Sequence, residues 1–278
     1  MFSSSTQTGS HPLLREDRTV FHFTRESSAL DVGRTELTAK PHPNFSNESF
    51  HIRFARSEQD RECASLLVSR MYGSRVYKAS LEPSPFEEKP DRVTLLVESR
   101  HNRPMGTLTL GQDGSAGLMA DKRHRAELDT LRAKRGASLL ELTQLSLNRR
   151  AGNAKEVLAG LFSIAYVCAT MAGCNWIVIA VRPRQARFFE NTLGFKRLGP
   201  QRFAAPGSAS VLLALDLDYA QEQIHQFGGR SNDALAGKSL YRYFLNPLDE
   251  LGLIQRLWDY DLMTPPNSIS PQATPSCG

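Results

Sequence analysis

Cysteine is scarce in this chain, and the four present stand apart. Cys63, Cys168, Cys174 and Cys277 form no CxxC pair, so the spacing of a structural zinc site or a dense disulfide framework is missing. A reducing compartment, the cytoplasm, is the simpler expectation. The seven histidines form no HxxxH pair, and no metal is assigned. A large charge of one sign is absent too: 34 Lys and Arg against 29 Asp and Glu leave +5. There is no basic stripe interleaved with aromatics, so nucleic acid is the weakest of the partners considered. The opening MFSSSTQTGSHPLLRED has no charged start followed by an apolar run, which argues against a secretory signal.

One long run without Asp, Glu, Lys or Arg does occur, Val157 to Val181. Its length suits a bilayer span of ~20 residues. Gly173 and Asn175 divide it, however, into a stretch with helical spacing and WIVIAV, a strand composition. The run therefore reads as a buried helix followed by a buried strand, and no transmembrane segment is expected.

What is present is ample core material, 40% hydrophobic residues in 278, enough for one large domain with appendages. Residues 1–47 are polar with little periodicity and read as a largely flexible arm. Residues 48–228 carry the strand and helix patterns of the main domain, residues 229–262 a helical appendage, and residues 263–278 a disordered tail. Within the domain, Phe50 to Ala55 alternates as a half-buried strand. Ser57 and Asp60 are placed as a loose capping box for a helix that sets Cys63, Leu66, Leu67 and Met71 on one face. Glu82 to Pro90, with three prolines, reads as loop. Val93–Val97 and Met105–Leu110 form an antiparallel pair turned by His101–Pro104. Asp121 to Arg135 is a charged helix, either a solvated face or a docking surface for an acidic partner. Leu139–Leu147, Lys155–Ala172, Ile177–Val181, a short helix from Pro183 and a final strand Val211–Leu215 complete an α/β mixed sheet flanked by helices.

The chemistry concentrates between Leu139 and Phe195. A strand bearing one acid, Glu141, runs into the turn Arg149-Arg150-Ala151-Gly152-Asn153-Ala154 and then a helix. Small residues let an anion approach the amides of the turn and the helix N-terminus, while Arg149 and Arg150 add charge-assisted bonds. A base beside a phosphate cradle suits group transfer from a phosphate-bearing carrier. The pattern is short, and an ordinary small-residue turn fits it equally well.

The turn Arg149-x-x-Gly152-x-Ala154 resembles the acyl-donor loop of the GCN5-related N-acetyltransferase fold, Q/R-x-x-G-x-G/A. Ala186 to Phe195 resembles that fold's closing helix. A tyrosine general acid, frequent there, is missing: Phe188 and Phe189 stand on this helix, and no tyrosine lies between Trp176 and Gly207. Glu141-Leu142-Thr143-Gln144-Leu145 is similar to the E-x-[ST]-R-x segment of acyl-homoserine-lactone synthases, with Gln144 in place of the arginine. Ser69 to Tyr77 is similar to an early helix of the same group. The best overall resemblance, from about Phe50 to Phe227, is to their relatives, the long-chain N-acyl amino acid synthases. Ser239 to Phe244 also resembles appended segments of that family.

The resemblance implies an acyl donor, acyl carrier protein or acyl-CoA, an amino acid acceptor, and no metal or redox cofactor. Glu141 is the candidate general base, raised by its apolar neighbours; its alternative is a structural partner of an arginine or a backbone N–H. Thr143, on the same strand face, either orients the acceptor or simply packs. A backbone N–H near Leu145 to Leu147 is the implied oxyanion donor. Ser146, read as lying on the opposite face, is assigned packing. Arg149, Arg150, Gly152, Asn153 and Ala154 hold the donor; Arg182 and Arg184 are weaker candidates for its phosphate. Phe188 and Phe189 line an acyl chain or belong to the core. Arg70, Arg75 and Tyr77 hold the acceptor carboxylate or shape an acyl tunnel, against plain surface charge. A membrane surface is an expected contact for release of the product, which would be a signalling lipid of the bacterial kind. Acyl-homoserine-lactone synthesis and a catalytically silent acyl-binding module are the competing functions.

Overall fold

Among the described residues, nine strands, several of them buried along most of their length, form a mixed sheet. The computed structural model describes residues 19–23, 50–72, 92–134, 136–148, 154–203, 209–231 and 237–259. The strands are β1 (Thr19–Phe23), β2 (Phe50–Phe54), β3 (Arg92–Ser99), β4 (Pro104–Gln112), β5 (Leu139–Leu147), β6 (Trp176–Val181), β7 (Lys196–Arg197), β8 (Arg202–Phe203) and β9 (Ala209–Asp216). The helices are α1 (Glu58–Tyr72), α2 (Asp121–Arg132), α3 (Ala154–Met171), α4 (Pro183–Leu193), α5 (Leu217–Phe227) and α6 (Pro247–Asp259), with a 3₁₀ turn at Tyr241–Tyr243. Among the described residues the strands lie in the order β1-β2-β3-β4-β5-β6-β9-β7, with β8 paired to β9; every ladder is antiparallel except β5–β6, and that parallel pair is joined by α3, the long crossover such neighbours require.

The sheet is covered on both faces. On one, Leu95, Val97, Leu108, Leu140, Leu142, Ile177, Ile179 and Leu213 pack against α3, α4, α5 and α6 in one continuous core. On the other, Leu139, Val178, Leu212 and Ala214 meet Leu128 and Leu131 of α2 in a smaller core. The α1 helix covers the same second face toward β4 and β5, through Ala64, Leu67 and Val68. Its start is fastened twice. Ser57 and Asp60 exchange capping-box bonds of 3.1 Å each, and Arg53 of β2 pairs with Asp60 at 2.7 Å. Of the face the spacing implied for α1, Leu67 is buried as expected, whereas Leu66 is 60% exposed.

One further expectation changes. Within the arm read as flexible, Thr19–Phe23 is a strand on the sheet edge, antiparallel to β2. The helical appendage packs on the domain as a continuation of its core: Tyr241, Phe244, Leu253 and Leu257 belong to the main core, and the Tyr241 hydroxyl donates to the Leu193 carbonyl at 2.8 Å. By length and composition α3 could cross a membrane, but 72% of that stretch is buried inside the fold. It ends at Gly173, whose φ of +68° lets Cys174 N–H reach back to the Ala169 carbonyl at 2.9 Å, a left-handed stop. Glu82–Pro90 and the tail lie outside the described residues.

Candidate active site

The β5–β6 ladder runs from Leu139 opposite Trp176 to Leu142 opposite Ile179 and stops there. Beyond it, β6 continues to Val181 along β9, while β5 continues to Leu147 along β4. The two parallel strands thus part into a wedge whose arms are Thr143–Leu147 and Ala180–Val181. The wall residues Thr143, Gln144, Leu145 and Leu147 are half-buried, whereas Leu139–Leu142 are buried; Ala180, small and exposed, is the facing residue.

A β-bulge opens the wedge. Thr107 lies opposite Ser146 and Thr109 opposite Thr143, so β5 carries one extra residue against β4. Gln144 takes φ +54°, an uncommon conformation for a residue with a side chain. Its amide oxygen accepts from the Thr109 hydroxyl at 2.8 Å, and Thr109 shares a second 2.8 Å bond with Thr94. The bulge also corrects one expectation. The extra residue reverses the alternation, so Ser146 faces the same side as Glu141, and its hydroxyl donates to the Leu67 carbonyl of α1 at 3.1 Å. The packing role given to Ser146 fits this bond; the opposite face does not.

Glu141 sits just below the wedge, opposite Val178 on β6 and Gly111 on β4. It is 2% exposed. Its two carboxylate oxygens accept from Met119 N–H at 2.6 Å and Ala120 N–H at 2.9 Å. These are the amides at the mouth of α2, whose own N-cap, Ala120, supplies no capping side chain. Glu141 therefore caps α2 from a neighbouring strand, where the helix dipole favours negative charge. Burial pushes the carboxyl up to about 7, against the two amides and the Arg92 guanidinium, which pull it down. Arg92, Gly111 and Glu141 form one row across three strands, and Gly111 puts no side chain between the two charged groups. The structural partnership with a backbone N–H is real. The carboxylate nonetheless retains acceptor capacity, since two of its roughly four lone-pair sites are used.

The other candidates distribute unevenly. Ala154 opens α3, with Val157 of the first turn beside Gly106, which pairs with Leu147. That puts the α3 N-terminus at the open end of the wedge. Arg149, Arg150, Gly152 and Asn153 lie outside the described residues, as do Arg75 and Tyr77. Arg70 is exposed in the last turn of α1, one turn past Leu67 and so at the wedge end of the sheet. Phe189 is core, with its ring 6.0 Å from those of Phe162 and Phe195, whereas Phe188 is 42% exposed. Leu145 and Leu147 pack partly against the main core; their backbone forms a wedge wall. Reasoning from sequence missed Met119, Ala120, Arg92 and Thr109. The only hint was the run DGSAGLMAD, a small-residue turn ahead of a charged helix.

That helix is packed on one side. His124 lies 2.8 Å from the Ser210 hydroxyl and Glu127 pairs with Arg202 at 2.6 Å, while Lys122, Arg123 and Arg125 are exposed.

Comparisons with known proteins bear on the family and the fold. The family model of the N-acyl amino acid synthase FeeM matches residues 63–216, more than half of the chain. The chain belongs to that family. Among solved structures, FeeM itself, an N-acyl amino acid synthase from uncultured soil microbes, superposes with a TM-score of 0.54 at 20% identity, over 63% of this chain and 94% of that one. A putative N-acetyltransferase from Lactobacillus plantarum gives 0.41 at 15% identity over 60% and 98%. The CoA-dependent acyl-homoserine lactone synthase BjaI, solved with SAM and isopentyl-CoA, gives 0.43 at 14% over 60% and 82%. No curated protein sequence matches. The fold is the GCN5-related N-acetyltransferase type, and a FeeM-family chain with that fold is an acyltransferase.

Proposed function

We propose that this FeeM-family chain moves a medium- or long-chain fatty acyl group from acyl carrier protein or acyl-CoA to the α-amine of an amino acid. The observation that carries this reading is the wedge: β5 and β6 part after Leu142 and Ile179, beside the start of α3. An extended thioester arm bearing amide groups can lie along a parted strand as an added strand does. Its phosphate would then approach the α3 N-terminus and the turn carrying Arg149 and Arg150. The reacting carbonyl would stand near the bulge, where a backbone N–H of Leu145 to Leu147 serves as oxyanion donor.

The chemistry balances without a metal or redox cofactor. The amine nitrogen attacks the thioester carbon, the C–N bond forms and the C–S bond breaks. One proton leaves the nitrogen, and the thiolate leaves with the electron pair. An α-amine is mostly protonated near neutral pH, so a proton acceptor is needed. Glu141, with its carboxyl pushed up to about 7, is suited to that task. Being sealed from solvent, it would take the proton through a water at the vertex, with Thr143 orienting the acceptor. A thiol leaves without an acid because its own pKa is near 8.5, consistent with phenylalanines where a tyrosine acid is common. The exposed cations of α2, Lys122, Arg123 and Arg125, suit an acidic carrier protein. Such donors place the reaction in the cytoplasm, with the amphiphilic product passing to a membrane surface.

Incubation of the protein with acyl carrier protein or CoA thioesters and an amino acid mixture should give N-acyl amino acids by mass spectrometry. Consumption of S-adenosylmethionine with lactone formation would assign lactone synthesis instead, and acyl binding without turnover would assign a silent acyl-binding module.

A further inference from the structure

The loop 113–120 delivers the amides of Met119 and Ala120 to Glu141 and seats Leu118 and Ala120 in the smaller core. It leaves the end of β4 with Asp113 N–H bonded to the Leu139 carbonyl at 3.0 Å. It turns through Gly114 and Gly117, the Gly117 N–H donating to the Gly114 carbonyl at 2.9 Å, and enters α2. Leu118 and Ala120 are its buried apolar residues.

Its two ends are clamped by one side chain. Arg132, in the last turn of α2, reaches Asp113 through Nε at 2.7 Å and Nη2 at 2.9 Å. It reaches Asp121 through Nη1 at 2.6 Å and Nη2 at 2.8 Å. A fifth bond goes to Asp129 at 3.1 Å, so all five guanidinium N–H donors are used. Asp121 passes the constraint on, since its Oδ2 also accepts from Leu118 N–H at 2.7 Å, next to the Met119 amide. Gly117 fits this closure tightly: its φ is +68°, and a Cβ there would stand 2.9 Å from Asp121 Oδ2.

We infer that Arg132, with Asp113 and Asp121, is a positioning residue for Glu141: it holds the loop so that the Met119 and Ala120 amides stay on the carboxylate. Arg132 has no contact with Glu141 and acts only through the loop. Three aspartates on one arginine exceed what charge neutralisation needs, whereas the forked geometry fixes two chain ends against each other. The inference rests on the proposed use of Glu141 as proton acceptor, because it assigns a purpose to holding that carboxylate.

Infrared titration reads the effect on Glu141 directly, using the protonated-carboxyl band that disappears in Glu141→Gln. In Arg132→Gln the amides are released and Asp121 is left unmasked. Both changes disfavour the charged carboxylate, so the midpoint should rise by about one pH unit, tenfold in proton affinity. Gly117→Ala, which adds no charge, should move it the same way and covers the case of an Arg132 variant that does not fold. A midpoint at or below the wild-type value in these variants overturns the inference. The pH profile of kcat/KM separates it from the proposed function. A midpoint that moves while the acid limb of the profile stays put leaves the positioning intact and removes Glu141 from the chemistry.

Discussion

On the side of β5 that meets α3, Leu140 and Leu142 are two among the many apolar residues of the main core. On the side that meets α2, the same strand carries Glu141, held by two amides, and Thr143, paired with Thr109 in the row that continues to Thr94. The first side is non-directional: any well-packed aliphatic surface would serve, and its loss is felt as stability. The second adds to the smaller core around Leu139 a few directional bonds about one titratable group, and the loss of those bonds should be felt first in catalysis. A single strand can thus divide labour between its faces, because neighbouring side chains point opposite ways.

The comparison is broken most severely if the polar side proves dispensable. Glu141→Gln should lower kcat/KM by about 10²- to 10⁴-fold, the usual weight of a general base, while circular dichroism shows the fold retained. Leu142→Ala should do the reverse. It should cost about 2–5 kcal/mol in denaturant unfolding, as deletion of a buried leucine does, and leave the rate per folded molecule close to wild type.

A third test reads both sides at once through pH. Burial raises the folded-state carboxyl of Glu141 from 4.5 to about 7. Between those values the folded chain holds a proton that the unfolded chain has released. The contribution of Glu141 to stability is therefore fully present below about pH 4.5 and falls away as pH rises through about 7. The total is about 3 kcal/mol. Urea unfolding at pH 5 and pH 8 should show this loss in the wild type and a flatter dependence in Glu141→Gln. The smallest effect is expected at the bulge. Thr109→Val removes the hydroxyl that bonds both Thr94 and Gln144 and should cost about 1 kcal/mol in stability.

Local signals carried most of the fold into the sequence. The capping box at Ser57 and Asp60, the stop at Gly173, the proline opening α4, the alternation along β2 and the turn between β3 and β4 each fix their element within a few residues. Gly194 marks the end of α4 in the same way: its φ is +75°, and a Cβ there would run into the Tyr219 ring. The site was less legible because its determinants are not local. The bulge uses Gln144 rather than glycine, so nothing in the sequence announced the reversal that turns Ser146 to the face of Glu141. The amides that hold Glu141 come from residues 21 and 22 positions away, and amides leave no trace in side-chain identity. Phe188 and Phe189 are adjacent and alike, yet only the second is core, because a helix separates neighbours by about 100°. The strand Thr19–Phe23 was hidden by its brevity in a polar arm.

The most direct test counts thiol and amide together. With an acyl thioester and amino acid supplied, thiol release should depend on the amino acid and match N-acyl amino acid formation one for one, and both should collapse together in Glu141→Gln. Thiol release that is indifferent to the amino acid, or an undiminished amide yield from Glu141→Gln, would contradict an acyl transfer to nitrogen that runs through this carboxylate.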